Sequence, residues 1–89
     1  MAELIAIGTT ATSSADFTLA SGVSTTLHLK TASGVIPKGA AVSIELKAGS
    51  AYTAIGGLTD KEPARVLAAP GTYRVSRHVN AVAFGVERD

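Results

Sequence analysis

The stretch AVSIELKAGSAYTAI, residues 41–55, decides the fold. Val42, Ile44 and Leu46 alternate with Ser43, Glu45 and Lys47. A period of two places the apolar set on one face of a strand and the polar set on the other. Ala48-Gly49-Ser50 supplies turn residues, and the chain restarts as AYTAI. Together these read as an antiparallel hairpin. Gly56-Gly57 follows and permits a bulge or a sharp turn.

The same logic extends upstream. In VSTTLHLK, Val23, Thr25, Leu27 and Leu29 share one face, and Ser24, Thr26, His28 and Lys30 the other. That is the pattern of a half-buried antiparallel strand. Ser21-Gly22 is a turn signal before it, and DFTLA precedes the turn with Phe17 and Leu19 in phase. Ser33-Gly34 opens a loop that reaches Pro37-Lys38-Gly39. Leu4 to Ile7 is a short β-rich run ended by Gly8, and Thr9 to Ser14 is small and polar. Residues 1–15 are therefore assigned to an N-terminal strand or arm and residues 16–89 to a single β-sandwich domain.

Downstream, Pro70-Gly71 is a turn signal that leads into TYRVSR, with Tyr73 and Val75 inward and Arg74 and Ser76 outward. Val79-Asn80 breaks the run, and AVAFGVE alternates Val82, Phe84 and Val86 against smaller residues. These two runs read as a second sequential hairpin. TDKEPARV is weighed apart, because Thr59 and Glu62 match a capping box while Pro63 sits too far in to start a helix well. It is assigned a charged loop with at most one helical turn, then a short strand from Arg65 to Leu67. Nothing shows a sustained 3.6 period. The expectation is an all-β fold, a compact antiparallel β-sandwich or small β-barrel of seven to eight short strands.

Composition bounds the function. Among 89 residues there are 16 Ala, 10 Thr and 8 Ser, but only 22 Leu, Ile, Val and Phe together, enough for one small core. The formal charge is +1, so no whole-chain polycation is available to clamp a nucleic acid. There is no cysteine, which excludes disulfides, thiolate metal sites and thiol chemistry together. The start, MAELIAIGTT, lacks a basic n-region, and no charge-free run resembles a bilayer-spanning helix. A protein made in the cytoplasm without classical export, and with no membrane partner, is expected.

Candidate sites are sparse. His28 and His78 are fifty residues apart in sequence, with no serine elbow and no metal-ligand spacing beside them. No catalytic, cofactor or metal residues are assigned, and no cofactor is expected. Asp60 and Glu62 offer too few oxygen ligands for a calcium loop. Phe17, Tyr73 and Phe84 are in phase with aliphatic neighbours and read as core, leaving Tyr52 as the one ring free to face a sugar. Arg74, Arg77 and His78 form the main basic cluster, to which Lys61 and Arg65 add if the segments are adjacent. A nucleic-acid partner would need interleaved aromatics, which are lacking. Arg74 is instead expected to pair with Glu45 or Glu87. The candidate interface residues are His28, Tyr52, Arg65, Arg74, Arg77 and His78. Flat alanine- and threonine-lined faces suggest packing against a neighbour, so a symmetric homo-oligomer is expected, with a trimer taken as its form.

The run from Val42 to Val75, with its V-x-I-x-L strand and the A-P-G-T-Y-R-V strand at Ala69 to Val75, resembles short β-sandwich proteins encoded among the structural genes of tailed bacteriophages. The opening TTATSSADFTLASG, residues 9–22, is similar to their starts. Such families include capsid decoration, or cement, proteins and parts of head or tail fibres. The resemblance implies a non-enzymatic virion structural protein that docks on a major capsid or other virion protein and stabilises the particle. It carries no catalytic residues to transfer. A collagen-like or coiled-coil shaft is missing here, which favours a standalone virion component over a fibre. The competing expectation is a small adhesion or carbohydrate-binding module that uses Tyr52.

Overall fold

A computed structural model describes residues 2–89. It contains nine strands: β1 (Ala2–Gly8), β2 (Thr12–Ser13), β3 (Phe17–Leu19), β4 (Thr25–Lys30), β5 (Ala41–Ala48), β6 (Ala51–Thr59), β7 (Ala64–Leu67), β8 (Gly71–Arg77) and β9 (Phe84–Arg88). There is no helix among the described residues. The strands form two antiparallel sheets. One has the order β1-β9-β4-β7; the other has the order β2-β8-β5-β6, with β3 also on β8. No strand belongs to both sheets, so the fold is a sandwich and not a closed barrel.

The hairpin read from residues 41–55 is present. β5 pairs with β6 from Ala41↔Thr59 to Ala48↔Ala51. Gly49 has φ 65° and opens the two-residue turn, where a mirror-image turn matches the strand twist. The register skips Ile55, since Ile44 faces Gly56 while Glu45 faces Ala54. That is a bulge beside the glycine pair. Gly57 is needed for a different reason: a Cβ there would lie 2.6 Å from the Val42 carbonyl oxygen.

Alternation turns into burial as expected along β4 and β5. Thr25, Leu27 and Leu29 are buried, as are Val42 and Ile44. The deepest side chains are Phe84, Leu19, Leu27, Ile44, Leu58, Val75 and Val86, drawn from both sheets. Phe17 stacks on Tyr73 with ring centroids 6.0 Å apart, and the Tyr73 hydroxyl donates to the Ala69 carbonyl at 2.7 Å.

Three expectations are corrected. First, TYRVSR and AVAFGVE do not form a hairpin: β8 pairs with β5, whereas β9 lies in the other sheet between β1 and β4. Alternation fixes which face a residue occupies, not which strand it meets. Second, Val23 and Val82 are 48% and 58% exposed, because Val23 precedes β4 after the turn at Gly22 and Val82 lies in the segment that crosses between the sheets. Third, Thr59 to Glu62 is a tight turn with no helical turn. The Thr59 N–H donates to the Glu62 carbonyl at 3.1 Å, and the Glu62 N–H donates to the Thr59 carbonyl at 3.2 Å. The Thr59 hydroxyl accepts from the Glu62 N–H, as in a capping box, but Pro63 disfavours helical geometry at Glu62.

Residues 9–19 line the free side of β8 as an interrupted edge. Ser14 bridges the gap: its N–H donates to the Val75 carbonyl at 2.8 Å, and its hydroxyl accepts from the Val75 N–H at 3.0 Å. Every connection except β2–β3 and β5–β6 passes from one sheet to the other. The two sheets are thereby laced together by the chain itself.

Candidate functional site

The sandwich presents two outer sheet faces, two sides and two loop-bearing ends. On the outer face of the five-stranded sheet, cross-strand register brings Glu45 opposite Arg74 and Lys47 opposite Tyr52. Arg74 Nε donates to Glu45 Oε1 at 2.6 Å, and the Ser76 hydroxyl donates to the same oxygen at 2.8 Å. The Arg74 guanidinium lies 3.6 Å from the Tyr52 ring centroid. Tyr52 in turn donates its hydroxyl to Asp16 at 2.8 Å, and Lys47 Nζ approaches Asp16 at 3.3 Å.

These contacts shift the acids in a consistent direction. The Arg74 hydrogen bond, then that of Ser76, holds the Glu45 carboxyl below its ordinary value. The Tyr52 hydroxyl does the same for Asp16, with Lys47 and Arg74 adding to it against partial desolvation. Tyr52 is raised in return, chiefly by Asp16. Two acids and two bases satisfy one another here, so the face is a closed polar network. One face of the Tyr52 ring is covered by Arg74, which halves the platform available to a stacked sugar.

The outer face of the four-stranded sheet is also charge-matched. His28 Nε2 lies 3.4 Å from Glu87 Oε1, and Lys30 pairs with Glu3 and approaches Glu87 at 3.8 Å. The Nε2 atom is enclosed, and no well-aligned hydrogen bond reaches it.

The basic cluster is dispersed by the fold. Arg74 lies on the outer sheet face, and Arg65 sits on the side of the sandwich, its guanidinium over Gly56 of β6. His78 is exposed, with Nε2 3.0 Å from the Ser43 hydroxyl. Arg77 is 5% exposed and belongs to the interior. Its Nη1 donates to the carbonyls of Ala6 at 2.6 Å and Phe84 at 2.8 Å, and its Nε donates to that of Thr10 at 2.8 Å. No continuous positive stripe joins Lys61, Arg65, Arg74 and Arg77, because Arg77 points inward. The inward phase of Tyr73 and Val75 continues to Arg77, so period two already contained this placement.

The end of the sandwich where β1 and β4 finish and β9 begins is different. Pairings Gly8↔Phe84 and Lys30↔Gly85 bring residues 8–11, 31–40 and 78–83 to this end. Asn80 fastens the first and last of these to each other: its N–H donates to the Thr9 carbonyl at 3.1 Å, and its side-chain amide holds the turn by donating to the Val82 carbonyl at 3.0 Å. Val35, Val79 and Val82 are 73%, 74% and 58% exposed on these loops, and Ile7 is exposed near the end of β1. Sequence reading missed Val79 as a surface residue and misplaced Val82, since a valine carries the same apolar signal in a loop as in a strand.

No group of three or more metal-ligating side chains occurs among the described residues. No helix among them is long and apolar enough to cross a membrane. Comparison with protein-family models, curated proteins and solved structures found no match.

Proposed function

We propose that the chain is a non-enzymatic structural protein that docks on a larger particle, the capsid or another component of a virion, and stabilises it as a symmetric oligomer. The observation that carries the docking reading is the loop end, where Val35, Val79 and Val82 stand in solvent on loops at one end of the sandwich. Apolar side chains grouped on loops over a rigid scaffold mark interaction surfaces. The sheet faces, by contrast, are occupied by their own ion pairs. The particle is named from the likeness of residues 42–75 and 9–22 to phage structural β-sandwiches.

Magnitudes favour an array over a single copy. Burying one valine is worth about 1.5–3 kcal/mol. Association costs about 4–15 kcal/mol in lost freedom. Three valines per copy therefore give weak single-site docking, and repeated copies add affinity through effective concentration. The carbohydrate-binding alternative is less favoured, because Arg74 takes one face of the Tyr52 ring.

Co-sedimentation with purified tailed-phage shells tests the reading. The unaltered protein should pellet with shells, and a Val79→Asp, Val82→Asp double variant should stay in the supernatant with an unchanged melting temperature. Failure of the unaltered protein to pellet, or equal pelleting of the variant, overturns the assignment of this end.

A further inference from the structure

We infer that the free edge of β6 joins the same edge of a second copy of this chain, in an antiparallel, two-fold pairing centred on Thr53, so that Tyr52 faces Ala54 of the second copy. The inference goes beyond the docking reading and stands without it, since it uses another part of the molecule.

Four strand edges border the two sheets, and three of them are guarded. β1 carries Glu3 and its pairing with β9 breaks register twice. The β2–β3 edge is interrupted, with Asp16 in the gap. β7 has four residues, includes Arg65, and lies between Pro63 and Pro70. Charges, bulges, prolines and shortness are the devices that stop an edge from recruiting another strand. β6 is the longest strand at nine residues, and from Ala48 to Thr59 the chain has no charge and no proline.

The bulge at Ile55 and Arg65 over Gly56 close the second half of this edge. Ala51, Thr53 and Ala54 remain exposed in the straight half, with exposed Ile55 at its end. An unpaired edge offers alternating N–H donors and C=O acceptors. A second copy, run antiparallel, offers the same set in the order that satisfies them. Tyr52 meets the small Ala54 of the other copy and Thr53 meets Thr53, and no charges lie within the paired segment. The copies of Arg65, which sits over Gly56, would be about 20 Å apart at about 3.3 Å per residue, beyond the screening length of about 8 Å at physiological salt. The segment is short, so the equilibrium is weak and is read at high protein concentration. An isologous contact of this kind makes a dimer and not a trimer.

Sedimentation of the full chain from micromolar to millimolar concentration, together with amide hydrogen exchange over the same range, tests this. The expected result is a monomer–dimer equilibrium in which the edge-facing amides of Tyr52 and Ala54 gain protection as concentration rises, while those of Ala51 and Thr53, already bonded to β5, change little. Thr53→Lys should weaken the dimer by about tenfold or more without lowering the melting temperature. Should that variant not fold, the exchange pattern of the unaltered chain decides alone. A chain that stays monomeric throughout, a trimer, or protection that rises on β1 or β2–β3 instead overturns the inference. Protection of β6 only in the presence of phage shells also overturns it, giving the edge to the particle. The Val79→Asp, Val82→Asp variant should dimerise normally, so failure to dock and failure to dimerise are separate results.

Discussion

Arg77 is the residue on which the sandwich closes. It is a permanent cation held inside with no carboxylate beside it, matched instead by the carbonyls of Ala6, Thr10 and Phe84. Those carbonyls come from β1, from the segment crossing between the sheets, and from β9. One side chain therefore ties both sheets and the crossing together. Gly8 lets the guanidinium approach, since a Cβ there would be 3.1 Å from Arg77 Nη2. Arg77→Met keeps the apolar stem but strands the three acceptors, and should cost about 2–4 kcal/mol. Arg77→Lys should cost less, because an ammonium can serve some of the carbonyls but not all in this fork geometry. Urea denaturation at a constant m-value measures both. A loss under about 0.5 kcal/mol for the methionine variant would show that water reaches the carbonyls without cost.

At the scale of elements, the β5–β6 hairpin shows what a short run of sequence decides locally. Its alternation, its turn at Gly49 and the glycine pair are all local signals, and each has its structural counterpart. Gly57→Ala should destabilise by about 1–3 kcal/mol, because the new methyl group meets the Val42 carbonyl oxygen and one strand must shift. The comparison is Gly22→Ala, where the added carbon has open space and the cost is only the positive φ of 81°. Thermal melts that rank the two variants equally would count against the close approach. TDKEPARV shows the opposite case. Its capping signal was present, yet Pro63 and the reciprocal Thr59–Glu62 backbone bonds made it a corner between sheets. The β8–β9 hairpin expectation failed because nearness in sequence was taken for pairing.

At the scale of the whole molecule, the outer faces govern the response to pH. The carboxyls of Asp16, Glu45 and Asp89 all sit below their ordinary values, through Tyr52, through Arg74 and through the Thr26 N–H respectively. A lowered folded-state value means the stabilisation is fully present above the ordinary values of 3.8 and 4.5 and is lost as pH falls through the lowered ones. The melting temperature should therefore be flat near neutrality and decline on the acid side of pH 4.5. Glu45→Gln should shallow that decline, and added salt should reduce it further, because Asp16 and Asp89 are exposed and Glu45 is only half-buried. On the alkaline side Tyr52 works in reverse, its contribution being lost as pH rises through a value above 10.0. An acid limb unchanged by Glu45→Gln would remove this network from the account.

The sequence by itself determined the strands, the inward faces and the all-β class, because side-chain direction along a strand is a local property with a period of two. It also held the inward placement of Arg77, which the apolar expectation for a core obscured. Only the tertiary structure decided which strands pair, which sheet receives β9, and which of the valines are left in solvent. Those outcomes depend on chain crossings between sheets and on long-range closure. No local pattern of residues encodes them, since a β-strand offers the same backbone groups to any partner that reaches it.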